Sequence, residues 1–349
     1  MKHLTALFLL LSILACGRNT PDNTVHDVNV APQPPKDRGT PEAARSKGCE
    51  GEGSWTPGQT EDLVTTYGGQ DRTFSVRLPP NYDPGIPAPV VFALHGGFGS
   101  AERTEESTKF NAVAAREGVI MIYPEGIPGR PRALTSVGKI RSWNAGGCCG
   151  KSMEQGVDDV GFLLKALDVV EQGACVDRSR VYSTGMSNGA MMSYRLACEA
   201  PERFAAVAAV AGMLVLEGCA PKRPIPLLHI HGIKDSNVPL DGSQGCGPGT
   251  VETRISIDQT INLWNTLHAC DGDTTQTLAR EDVTCTRKGS QCPVELCLLP
   301  QGNHTWPGGT PKDPFFPGCT GGQQVLSFSA SEHIWGFFEA HTLDTKSFE

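Results

Sequence analysis

Short runs of consecutive apolar residues alternate along this chain with longer stretches in which apolar positions recur every three or four residues. Residues 89–94 and 119–123 are runs of the first kind, and the stretch 107–117 between them has helical spacing, giving a strand, helix, strand unit. The pattern then repeats. Val160, Leu163, Leu164, Leu167 and Val170 share one helical face, and residues 180–184 form a strand that runs into Ser187. A helix over residues 188–199 follows, then strands at 204–211 and 226–231. A helix carrying Ile257, Ile261, Trp264 and Leu267, a strand at 294–299 and a closing helix with Ile334, Phe337 and Phe338 complete the series. Ser329 and Glu332 have the spacing of a capping box for that last helix. Strands apolar at every position must be covered on both faces, so the expected class is α/β, a mostly parallel central sheet with helices on both faces. Only a short connection separates 204–211 from 226–231, which leaves no place for a large lid domain. Ligand sites in such sheets gather beyond the carboxyl ends of the strands.

The two ends of the chain change this picture. Met1, Lys2 and His3 precede an apolar run over residues 4–15, the charged start and short greasy stretch of an export signal, too short to span a bilayer. The run ends Ile13, Leu14, Ala15, Cys16, which resembles a bacterial lipobox, so residues 1–16 read as a signal peptide and Cys16 as the site of an N-terminal lipid anchor. Residues 17–48 are polar and proline-bearing, cannot bury enough surface to order themselves, and read as a disordered tether. One catalytic domain over 49–349 remains, with no internal repeat and no second domain. Thirteen cysteines suit an exported chain, and setting Cys16 aside leaves twelve, enough for six disulfides. Cys198 with Cys219, and Cys285 with Cys292, are the favoured pairs, the first flanking a helix-to-strand unit and the second bracketing a hairpin. Cys148 and Cys149 are adjacent, and each is expected to reach a distant partner. A formal charge of -8 without a basic stripe excludes a nucleic-acid track.

Gly185, Met186, Ser187, Asn188 and Gly189 form a G-x-S-x-G motif, which a glycine-rich chain can supply by chance. Its setting gives it weight. It lies between the strand 180–184 and the helix 188–199, where a nucleophile elbow must lie to hold the serine hydroxyl proud of the sheet. A serine nucleophile needs a base and a group to orient that base, and in this fold they follow it in the order acid, then histidine. His268, His333 and His341 fall in helical patterns, so His304, in a glycine-bearing loop after the strand 294–299, is the base. Asp235, just past the strand 226–231, is the acid, with Asp241 its nearest rival. Leu94, His95, Gly96, Gly97, Phe98 and Gly99 make a glycine loop of the kind that completes an oxyanion hole, the donors being the amides of Asn188 and of Gly97 or Phe98. Trp143 and Trp306 are candidates to line the substrate pocket. His229 and His231 share a strand face, but without a third ligand they read as packed structural residues, and no metal or other cofactor is expected.

These segments, together with residues 142–150, 157–162, 185–202 and 304–309, resemble the esterases that group polyhydroxybutyrate depolymerases with feruloyl and acetylxylan esterases, over residues 67–341. The most specific pieces are Ser142 to Cys149 and His304 to Gly309. The resemblance implies an α/β-hydrolase fold, a triad of Ser187, Asp235 and His304, and a substrate that is a feruloyl or acetyl ester of plant polysaccharide or a polyhydroxyalkanoate-type oligoester. Asn303, where the family commonly has glycine, and Thr305, often cysteine in relatives, depart from the pattern. The alternative is a non-catalytic surface lipoprotein that keeps the fold as a binding module.

Overall fold

The computed structural model describes residues 39–51, 55–128, 141–247, 254–311 and 319–344. Cys16 and the signal segment lie outside them, as does most of the proposed tether. In chain order the elements are β1 (Thr60–Tyr67), β2 (Gln70–Arg77), β3 (Ala88–Leu94), α1 (Ala101–Thr108), α2 (Phe110–Glu117), β4 (Ile120–Pro124), β5 (Ile127–Pro128), β6 (Arg141–Ser142), α3 (Gly150–Glu154) and α4 (Asp159–Gly173). They continue with β7 (Val176–Met186), α5 (Asn188–Glu199), β8 (Ala206–Val210), β9 (Leu227–Gly232), α6 (Ile257–Leu267), β10 (Thr274–Ala279), β11 (Thr284–Lys288), β12 (Val294–Leu299) and α7 (Ala330–Glu339). Ten strands form one sheet in the order β1-β2-β4-β3-β7-β8-β9-β12-β11-β10. The six central strands run parallel, and an antiparallel pair closes each edge.

Alternation along the central strands builds two cores. On β3, Val90, Phe92 and Leu94 join the core that includes residues of α4, α5 and α6, while Val91 and Ala93 join the one that includes residues of α1, α2 and α7. All seven residues of β3 and all five of β4 are buried, as a sheet covered on both faces requires. The stretch expected as one helix at 107–117 is two, α1 and α2, broken at Lys109 with φ 56°. At α7, Ser329 accepts the Glu332 amide, but the Glu332 carboxylate pairs with Arg116, so only half of the expected capping box forms. The full box belongs to α6, between Ser256 and Gln259. No helix or strand interrupts residues 211–226, in keeping with the absence of a lid there.

The ordered domain begins before residue 49. Ala44 and Ser46 are buried, and the Ser46 hydroxyl donates to the Ala174 carbonyl at 2.8 Å and accepts the Val176 amide at 2.9 Å. Cys49 is joined to Cys175 beside them. Residues 41–48, which composition assigns to the tether, are thus docked by a few side chains on the start of β7. Among the described residues all twelve cysteines are paired. Cys198 bonds Cys219 as expected, but Cys285 bonds Cys297 and Cys292 bonds Cys270. The register of the β11 and β12 hairpin sets Cys285 directly opposite Cys297, while Cys292 lies in the connection between those strands and turns toward the end of α6. Cys148 and Cys149 bond each other rather than distant partners, and Cys246 bonds Cys319.

Candidate active site

Strand β7 ends at Met186 and α5 begins at Asn188, so Ser187 is the whole turn. Its φ of 56° is one that side chains rarely adopt, a strained conformation held by the sheet on one side and the helix on the other. The two glycines make that turn possible. A Cβ at Gly185 would lie 2.5 Å from the Gly189 carbonyl carbon, and one at Gly189 would collide with the Leu94 and His95 carbonyl oxygens. Ser187 lines a cleft of about 470 Å³ with His304, Gly97, Phe98, Asn188 and Trp306.

Behind the cleft, Asp235 is buried and its Oδ2 lies 2.7 Å from His304 Nδ1. Its Oδ1 accepts the amides of Asn237 and Val238 at 2.8 and 2.9 Å. Burial alone would raise its pKa, but the His304 charge and hydrogen bonds from His231 and His304 outweigh burial and hold the carboxyl far below the usual range. Two glycines again permit the approach, because Gly232 before the acid and Gly302 before the base pack backbone against backbone. Asn303 and Thr305, the two departures from the family pattern, bond each other at 2.7 Å and brace the His304 loop. Asp241 is exposed and bonded to Ser243, through its amide and its side chain, rather than to His304.

The glycine loop after β3 reaches the elbow. A Cβ at Gly96 would be 3.5 Å from Ser187 Cβ, and one at Gly97 would be 3.7 Å from Asn188 Cβ. The Asn188 amide opens α5, where no carbonyl four residues back is available to it. Gly97 and Phe98 separate here. The Phe98 amide donates to the Arg141 carbonyl at 2.8 Å and is committed there, so Gly97 remains the loop candidate to act with Asn188. Trp143 also departs from its expected place. It is fully buried, stacked near His95 and donating from Nε1 to the His95 carbonyl, and it does not line the cleft. The Asn188 side chain clasps the Trp143 backbone through both its oxygen and its nitrogen, so Trp143 fastens the glycine loop to the elbow. Trp306 does line the cleft, although it is 4 % exposed.

Three positioning groups were not assigned from sequence. His95 donates from Nδ1 to the Gly96 carbonyl at 2.7 Å and accepts the Gly126 amide on Nε2 at 2.9 Å, clamping the glycine loop from below. Its place within the glycine motif was the available signal. His231 Nε2 is 2.9 Å from the Val238 carbonyl, which can only accept, so that nitrogen carries the proton. His229 Nε2 then donates to His231 Nδ1 at 2.9 Å, and the Tyr194 hydroxyl donates to His229 Nδ1 at 2.6 Å. Burial and the neighbouring ring push His229 well below its ordinary pKa. The line ends with His231 Nε2 3.3 Å from Asp235 Oδ2, so the pair buttresses the acid.

Residues 73–227 match the model of the family described as esterase PHB depolymerase. The putative esterase NocK of Nocardia uniformis subsp. tsuyamanensis is 31% identical over 294 residues, which cover 76% of this chain and 80% of that relative. The chain belongs to the PHB depolymerase esterase family. Feruloyl esterase C of Emericella nidulans is 30% identical over 240 residues, covering 67% of this chain and 71% of its own length. Among solved structures, native pOPH superposes with a TM-score of 0.52 at 16% identity over 85% of this chain and 92% of its own, a likeness of fold. The family member described here is a carboxylic ester hydrolase with an α/β fold and a mostly parallel sheet, and no large lid stands among its described residues.

Proposed function

We propose that this esterase works by acyl transfer through Ser187, Asp235 and His304 and that it is exported and held at the cell envelope by a lipid on Cys16. The observation that carries the mechanism is the 2.7 Å pairing of His304 Nδ1 with buried Asp235 in the cleft where Ser187 sits on its elbow. His304 takes the Ser187 proton from its other ring nitrogen as Oγ attacks the ester carbonyl, and Asp235 fixes the tautomer and stabilises the imidazolium that forms. The amides of Gly97 and Asn188 hold the oxyanion. His304 returns the proton to the leaving alcohol, and water, activated by the same imidazole, releases the acid. The reaction needs no cofactor.

The substrate class is a feruloyl or acetyl ester on plant polysaccharide or a hydroxyalkanoate oligoester, and an open cleft without a lid suits an ester borne on a polymer. Relatives named feruloyl esterase support the first arm, and the family model supports the second. A panel of methyl ferulate, acetylated xylan, hydroxybutyrate oligomers and short nitrophenyl esters tests the reading, with Ser187→Ala as control. At least one of the polymer-related esters is cleaved faster than the nitrophenyl esters, and Ser187→Ala loses about 10⁴-fold or more in kcat on every one. Turnover that survives in Ser187→Ala contradicts the mechanism.

A further inference from the structure

The cleft is charged unlike the chain that forms it. Arg103 on α1, Arg141 on β6, Lys151 on α3 and Arg254 just before α6 reach it from four separate segments. No aspartate or glutamate stands among its described lining residues, although the chain carries 38 acidic against 30 basic side chains. Four ionised residues drawn at random from such a chain would all be basic on the order of one time in 25. Arg141 is paired with Glu125 at 2.7 Å and Arg254 is hydrogen-bonded to the Gln244 side chain among its partners, so the argument leans most on Arg103, which is exposed, and on Lys151. Apolar side chains of Met186, Met191, Met213, Val238 and Trp306 also line the cleft, among uncharged polar residues such as Asn237 and Thr305.

Low-dielectric walls lined by one sign of charge concentrate the opposite charge within them. We infer that the preferred substrate of this cleft is an ester that also carries carboxylates, its apolar part against the methionines and its anionic part along Arg103, Lys151 and Arg254. This rests on the esterase reading and narrows it. Cations arriving from separate segments match single negative charges spaced along a substrate better than one multiply charged group, which needs donors converging on a point. The carboxylate can belong to the acyl part, as in the half-ester of a dicarboxylic acid, or to the alcohol part, as in a uronate-bearing polysaccharide.

The test compares each anionic ester with its neutral counterpart using the full chain: nitrophenyl hydrogen glutarate against nitrophenyl pentanoate, and acetylated glucuronoxylan against the same polymer after carboxyl reduction. In at least one pair, kcat/KM for the carboxylate form exceeds that of the neutral form by about fivefold at low salt, and the ratio approaches one at about 0.5 M salt. The pair that shows the preference identifies where the carboxylate resides. Arg103→Glu, Lys151→Glu and Arg254→Glu each lower the ratio, and the milder Arg103→Gln and Lys151→Gln lower it less, in proteins whose circular dichroism matches the parent. A ratio at or below one in both pairs, or one that ignores both salt and charge reversal, overturns the inference while Ser187-dependent hydrolysis of nitrophenyl pentanoate leaves the esterase reading standing. Should no ester be cleaved, that reading fails first, and retention of Ser187→Ala protein on immobilised glucuronoxylan no greater than on the carboxyl-reduced polymer overturns the inference as well.

Discussion

His95 stays neutral through the physiological range because burial, the largest influence on it, lowers its pKa to about 4. Neutrality is what its task demands, since Nε2 must accept the Gly126 amide while Nδ1 donates to Gly96. A histidine whose pKa falls from 6.5 to about 4 on folding stabilises the native state fully above pH 6.5, and that contribution drains away as pH falls toward 4. His95→Ala should therefore be less stable than the parent by up to about 3 kcal/mol at neutral pH, with the gap narrowing toward pH 4. Urea titrations at several pH values measure that gap. The same variant should lose about 10- to 100-fold in kcat with KM little changed, because the loop amide at Gly97 is no longer held in place. At this scale the residues proposed as nucleophile, acid and base could be named from sequence because each chemical role demands a residue type at a strand end, and the structure brings Ser187 and His304 to one cleft with Asp235 behind it. Phe98 and Trp143 were not legible, because what decides them is where one amide and one indole find acceptors, and those acceptors, Arg141 and His95, are far away in sequence or folded back from it.

Among the elements, the six central strands were legible as continuous apolar runs, and the edge pairs were not. Strand β1 alternates half-buried with exposed residues and β10 is almost wholly exposed, so neither has the apolar run that betrays a covered strand. The hairpin near Cys285 was recognised but its disulfide was misassigned, because pairing follows register, and register places Cys285 opposite Cys297. Peptide mapping without reduction should accordingly recover Cys285 with Cys297 and Cys270 with Cys292. The latter closes a loop between residues 22 apart, and replacing both cysteines by serine should cost about 2–4 kcal/mol, read as a lower urea midpoint. Recovery of a Cys285 to Cys292 peptide would contradict the register described here.

For the molecule as a whole, six disulfides among the described residues fit a life outside the cytoplasm, and the proposed leader over residues 1–16 accords with it. Among the described residues no helix is long and apolar enough to cross a membrane, and the proposed attachment is the lipid on Cys16. Cys16→Ser, expressed with its leader in a bacterial host, should abolish incorporation of labelled palmitate and move the enzyme from the membrane pellet to the soluble fraction. A variant that still sediments with membranes would remove the anchor from the account. The parts of the proposed site come from distant stretches of chain: the glycine loop after β3, Ser187 after β7, Asp235 after β9 and His304 in the loop after β12. The central proposal is that these neighbours make Ser187 reactive. The most direct measurement is labelling with a fluorophosphonate, followed by mass spectrometry of the modified peptide. One phosphonyl group per chain on Ser187, lost in Ser187→Ala and strongly slowed in His304→Ala, is the expected result. No labelling of the folded protein, or equal labelling in Ser187→Ala, would contradict it.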